Sequence, residues 1–122
     1  MNIILDPNEV AEYRKKYTVL ELDTIRFLPV NKCVTAYCIV DNLRMTELPQ
    51  VEQKMATHQN LMSNYKQRNW EDCLAAIDQL NGFWSGQLDS FYEEFRSRIA
   101  KYIEQDPGEE WDGTIEKTVT TE

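Results

Sequence analysis

One histidine, His58, lies between Met55 and Met62 at steps of three and four, on the apolar side of a helical pattern. A general base needs a partner and a cleft, and a zinc-type site needs further nitrogen or sulfur ligands. With no second histidine in the chain, the pattern assigns His58 to a buried or half-buried ring with a hydrogen-bond partner. Glu21 and Asp23 alternate along a strand-like run, which puts both on one face. Close carboxylates could raise a pKa or hold a cation; on a solvent-facing strand they are surface charge. Cys33, Cys38 and Cys73 are odd in number and lack metal-ligand spacing. Cys38 and Cys73 sit in apolar settings that read as core, whereas a reactive thiol needs an electropositive, partly open site. With only four glycines there is no phosphate loop, and no nucleophile-elbow pattern occurs. Glu93-Glu94 and Glu109-Glu110 read as solvated charge. The expectation is therefore no catalytic, cofactor-binding or metal-binding residue.

The aromatics are the other candidates. Gly82-Phe83-Trp84-Ser85-Gly86 is a glycine-flanked turn with two large rings. Turns are usually polar, so Phe83 and Trp84 either cap the core between two helices or form, with Tyr92 and Trp111, an apolar patch that docks a partner protein. Trp111 interrupts an acidic tail of Glu104, Asp106, Glu109, Glu110 and Asp112. It reads either as an anchor folding the tail onto the body or as a docking residue.

Three amphipathic helices over 46–104 must position these side chains. Val51, Met55, His58, Met62 and Tyr65 share the first apolar face; Trp70, Cys73, Leu74, Ile77 and Leu80 the second; Leu88, Phe91, Tyr92, Phe95, Ile99 and Tyr102 the third. Pro49 suits a first turn, Asn69 an N-cap with Asp72 behind it, and Asn81-Gly82 a helix end. The link at 66–69 is short enough to make the first two helices antiparallel neighbours. Ahead of them, Asp6-Pro7-Asn8-Glu9 starts a helix with Val10, Tyr13 and Tyr17 inward and Arg14, Lys15 and Lys16 in its last turn. Residues 18–28 and 33–41 form a hairpin turned through Asn31. The second strand is apolar on both faces over 37–40, which suggests burial between two layers. A hairpin alone is marginal. It must pack on the helices, gain 1–5 as a third strand, or pair with a second copy, which makes a homodimer one of the expected assemblies.

Tyr65, Trp70, Cys73, Ile77 and Leu80 resemble one tetratricopeptide-type helix pair, with Leu61 where that family usually has glycine and Cys73 where it usually has alanine. No second copy is present, so this is not a solenoid. Residues 34–118 resemble the accessory segment after the catalytic domain of bacterial class III adenylate cyclases. The matching features are a strand, the Tyr65…Trp70 pair, Tyr92…Arg98, and Pro107-Gly108-Glu109-Glu110-Trp111-Asp112-Gly113, with one extra residue before the tryptophan. The paired metal-binding aspartates of the cyclase domain have no counterpart. The chain is also similar to small proteins of marine cyanobacterial phages through Phe83-Trp84-x-Gly86-x-Leu88-Asp89-x-Phe91-Tyr92 and the run 104–113. These resemblances imply a detached accessory domain, not a cyclase.

At 122 residues and 42% hydrophobic, 11% aromatic content, the chain reads as one folded domain. It divides into a β-element (1–45), a helical layer (46–104), an acidic tail folded back (105–117) and a disordered end (118–122). A net charge of −8 disfavours nucleic acid and anionic membranes as partners. No signal peptide or membrane-length apolar run appears, so the expected location is the cytoplasm, of a host cell if phage-encoded. The sequence thus predicts an α+β domain: an N-terminal helix and β-hairpin on a three-helix layer, acting as a non-enzymatic interaction or adaptor protein for an unidentified protein partner. A small-ligand or catalytic pocket between hairpin and helices, near Glu21, Asp23 and His58, is the alternative.

Overall fold

In the computed structural model, which describes residues 2–118, the chain is α+β. The strands are β1 (Asn2–Ile4), β2 (Thr18–Leu28), β3 (Lys32–Val40) and β4 (Thr114–Thr118). The helices are α1 (Pro7–Arg14), α2 (Val51–Lys66), α3 (Trp70–Leu80) and α4 (Asp89–Glu104). The sheet order is β1-β3-β2-β4, antiparallel except for the parallel β2–β4 pair. The third strand expected at the N-terminus is present, and a fourth, unexpected strand closes the other side. Thr118, placed by the sequence in a disordered end, is the last residue of β4; 119–122 lie outside the described residues.

Because successive strand residues point to opposite faces, β3 feeds two cores. Cys38 and Val40, with Leu20 and Leu22 of β2, join the cluster built by α2, α3 and α4. Ile39 and Val19 join Ile4 and Val10 of α1 on the other face. The sheet therefore lies between α1 and the helical layer, as the doubly apolar run at 37–40 requires. α1 starts as its sequence dictates: Asp6 Oδ1 accepts from the Asn8 N–H at 2.8 Å, and Pro7 occupies the first turn. Tyr13 and Tyr17, however, do not face inward. α1 ends at Arg14, so only Val10 reaches the core, and the two tyrosines lie half-exposed against each other. At the hairpin turn Asn31 adopts φ 56°, the left-handed conformation asparagine tolerates.

The helical faces hold nearly residue for residue. Leu61 is an addition: it is fully buried, and its carbonyl accepts from the Cys73 thiol of α3 at 3.8 Å. Asn69 stands at the N-cap of α3 but does not cap it. Its side chain donates instead to Asn64 Oδ1 at 3.2 Å and Gln67 Oε1 at 3.4 Å. The link between α3 and α4 runs through three consecutive left-handed residues, Trp84 (φ 57°), Ser85 (φ 52°) and Gly86 (φ 75°). Such a conformation costs free energy at non-glycine positions, and the buried Glu47 carboxylate holds it in place. Glu47 accepts from the Ser85 N–H at 3.0 Å, from Ser85 Oγ at 2.8 Å and from the Arg44 N–H at 3.2 Å. Burial opposes its charge, but these donors outweigh burial and lower its pKa.

Candidate functional site

The four aromatics proposed as one patch occupy two places. Phe83, Trp84 and Tyr92 belong to the helical core, and Trp84 and Tyr92 have no exposed surface at all. This corrects the patch reading for them in favour of its alternative, rings that cap the core: the glycine-flanked turn is left-handed at Trp84–Gly86, and the Trp84 ring is buried against Tyr92 of α4. Trp111 sits near the far end of α4, against Tyr102, which is ten residues or about 15 Å along the helix from Tyr92.

Trp84 closes a buried chain of hydrogen bonds. Its Nε1–H donates to Tyr92 Oη at 3.0 Å, and Tyr92 Oη lies 2.9 Å from His58 Nδ1. His58 Nε2 is 2.6 Å from the Glu21 carbonyl. A carbonyl only accepts, so Nε2 carries the proton, Nδ1 accepts, and Tyr92 donates to it. β3 pairs with β2 at Glu21, opposite Tyr37, but β4 joins β2 only from Thr24 onward; where β4 is absent, the His58 N–H donates to the Glu21 carbonyl. Burial lowers the His58 pKa against the opposing pull of the Glu21 carbonyl, so the ring is neutral.

The folded state resists protonation while the unfolded chain binds a proton near pH 6.5, so His58 costs nothing above that pH and destabilises as pH falls below it. Stability should decline from pH 6.5 toward pH 5, by at most about 1.4 kcal/mol per pH unit. Urea midpoints measured across that range should show the slope, and His58→Gln should remove it. A flat profile in the parent chain would contradict a buried neutral imidazole.

Glu21 and Asp23 do not converge. The β2–β3 register shifts between Glu21 and Thr24, and a bulge of this kind re-aims side chains. Glu21 pairs with Lys66 of α2 at 2.8 Å, while Asp23 takes a two-pronged bond from Arg98 of α4, at 2.8 and 3.2 Å. A groove of about 360 Å³ is lined by Glu21, His58, Lys66 and Arg14, at the small end for a ligand site. Both His58 nitrogens are already engaged there. A larger groove, about 660 Å³, lies between Leu5-Asp6-Pro7 and residues 32–35 of β3. Burial pushes the thiols of Cys38 and Cys73 up to about 12, which makes them poor nucleophiles at neutral pH. Among the described residues no group of three or more His, Cys, Asp or Glu is placed to hold a metal ion, and no helix is long and apolar enough to cross a membrane.

The aromatic assembly that does reach the surface is Trp70, Tyr102 and Trp111, all half-buried over Tyr65. Ring centroids are 5.4 Å apart for Trp70–Tyr102, 5.1 Å for Tyr102–Trp111, 5.6 Å for Trp70–Trp111 and 4.8 Å for Tyr65–Trp111. The tail is bent onto it by Asp106, which accepts from Arg68 at 2.7 Å, the Gly108 N–H at 2.8 Å and Trp70 Nε1 at 3.4 Å. Those donors, the Gly108 N–H first, lower the Asp106 pKa. Gly113 (φ 91°) then passes so close to α2 that a Cβ there would meet Lys66 Cγ at 2.9 Å. Asp112 caps the Thr114 N–H at 3.0 Å, and β4 begins. Trp111 thus anchors the tail. In the sequence Trp70 and Tyr102 belong to separate helical faces; the anchor reading of Trp111 signals that the tail folds back, and nothing local says that it lands on these two rings. No family model, curated protein or solved structure matches this chain.

Proposed function

We propose that this chain is a non-enzymatic interaction domain, an adaptor that docks a partner protein on the Trp70–Tyr102–Trp111 face. The observation carrying this reading is that three large aromatics meet at the surface, and Ile103, next to Tyr102 in the chain, is 53% exposed. Aromatic clusters of this type supply much of the binding free energy in protein interfaces. The resemblance of residues 34–118 to a cyclase accessory segment supports such a role, and on this reading the chain is a cytoplasmic adaptor, of a host cell if phage-encoded.

A photoreactive phenylalanine installed at position 103 should cross-link a discrete partner in cells expressing the chain. The same group at position 30, on the hairpin turn and 71% exposed in the parent valine, should not. Equal labelling at both positions, or none at 103, would reject the aromatic face as the docking surface. Adducts consisting of the chain itself would identify the partner as a second copy.

A further inference from the structure

The geometry points to an arginine-bearing segment of a partner protein as the occupant of the Trp70–Tyr102–Trp111 face, an inference that rests on the docking role proposed above. The aromatic face supplies the surface, and the charge around it supplies the sign. From Lys101 to Asp112 the chain carries five carboxylates and one cation. Asp106 is committed to Arg68 and Trp70, and Asp112 to the Thr114 N–H. Glu104, Glu109 and Glu110 are exposed and form no ion pair among the described residues. Glu109 and Glu110 immediately precede Trp111, so unpaired negative charge adjoins the aromatic face at that ring; Glu104, two residues past Tyr102 on α4, lies on another side of the helix.

An acidic or neutral segment would leave these carboxylates facing a like charge or no charge. A cationic one gains both their attraction and that of the ring faces, whose quadrupole favours cations. Guanidinium fits better than ammonium, because it is flat, stacks on indole and phenol rings, and offers a fork to a carboxylate. The protein already uses this chemistry at the edge of the face. Arg68 pairs with the carboxylate that also accepts from Trp70, and on α4 the Arg98 guanidinium lies 5.0 Å from the Phe95 ring centroid.

The test reads the three tryptophan indole N–H signals by NMR on the full chain. Trp84, buried and bonded to Tyr92, serves as the internal reference. The probe is a short peptide of alternating arginine and glycine. Controls replace arginine by citrulline, which has the same shape without the charge, or by glutamate. The arginine peptide should shift Trp70 and Trp111 saturably and leave Trp84 in place. The citrulline peptide should bind at least about tenfold more weakly, and a Glu109→Gln/Glu110→Gln chain should lose about tenfold toward the arginine peptide, the equivalent of 1.4 kcal/mol. Unmoved Trp70 and Trp111 signals would overturn the inference. So would equal binding of the citrulline or glutamate peptide, an unchanged affinity in the double variant, or shifts spread over the acidic surface without converging on the two indoles. If position 103 still cross-links a partner while the arginine peptide fails, the face docks a partner of another chemistry. If neither occurs, the docking role falls as well.

Discussion

Arg98→Ala is expected to destabilise the chain by about 3–5 kcal/mol, because it strips a largely buried carboxylate of its partner. The Arg98 and Asp23 side chains are only 14% and 16% exposed, so water screens the pair weakly. Burial works against the guanidinium charge, yet the Asp23 carboxylate and the Tyr65 hydroxyl outweigh it and hold the Arg98 pKa above its usual value. Removing Arg98 leaves the Asp23 charge in place and takes one donor from Tyr65 Oη, 3.2 Å away. The same arginine also touches Glu94, 69% exposed, and that surface pair is worth under about 0.5 kcal/mol. Denaturant unfolding separates these terms. Arg98→Ala should shift the midpoint strongly and Glu94→Gln hardly at all. The double variant Arg98→Leu/Asp23→Leu should recover much of the loss, since an apolar pair carries no desolvation cost. A small loss in Arg98→Ala would mean that the sheet and α4 are held together by apolar contact alone. Against a typical stability of about 5–15 kcal/mol, the expected loss is a large fraction of the whole.

That ion pair shows where sequence reading reaches its limit. The helical faces were legible because their apolar residues repeat at the helical period and burial follows period; Phe91, Tyr92, Phe95 and Ile99 all reach the core. The cap at Asp6 and the left-handed turn at Asn31 were legible because each depends on neighbours within a few residues. The bulge after Glu21 was not legible. Strand alternation assumes a continuous ladder, and the inserted residue sends Glu21 and Asp23 to different helices. β4 was missed because Thr114–Thr118 is short and polar and gains its pairing only after the tail has wound back past α2. Glu47 carries no local signal in the sequence, because its burial depends on the Ser85 N–H and hydroxyl, 38 residues away. Trp70, Tyr102 and Trp111 each had a local reading; their meeting is a tertiary fact, and the candidate site therefore differs from the patch inferred from Phe83 and Trp84.

Trp84→Ala should cost about 3–5 kcal/mol, the range for deleting a fully buried large aromatic, and should rank with Arg98→Ala among the most damaging single changes. The indole has no exposed surface and packs edge-on to Phe83 at 4.8 Å between centroids. Its loss opens a cavity and removes the donor to Tyr92 Oη. Alanine at φ 57° is no better suited to the left-handed turn than tryptophan, so no backbone relief offsets the cavity. Trp84→Phe keeps most of the volume and removes the N–H. Tyr92 still donates to His58, and the cost should fall to about 1–2 kcal/mol. Thermal unfolding of the two variants therefore separates packing from hydrogen bonding. Equal losses would show that the indole N–H dominates; near-parent stability of Trp84→Ala would show that the turn does not bury the ring. A binding defect in Trp84→Ala reports loss of fold rather than loss of contact, so the docking face must be probed at its exposed rim, at Ile103, Glu109 and Glu110, where substitutions leave the core intact.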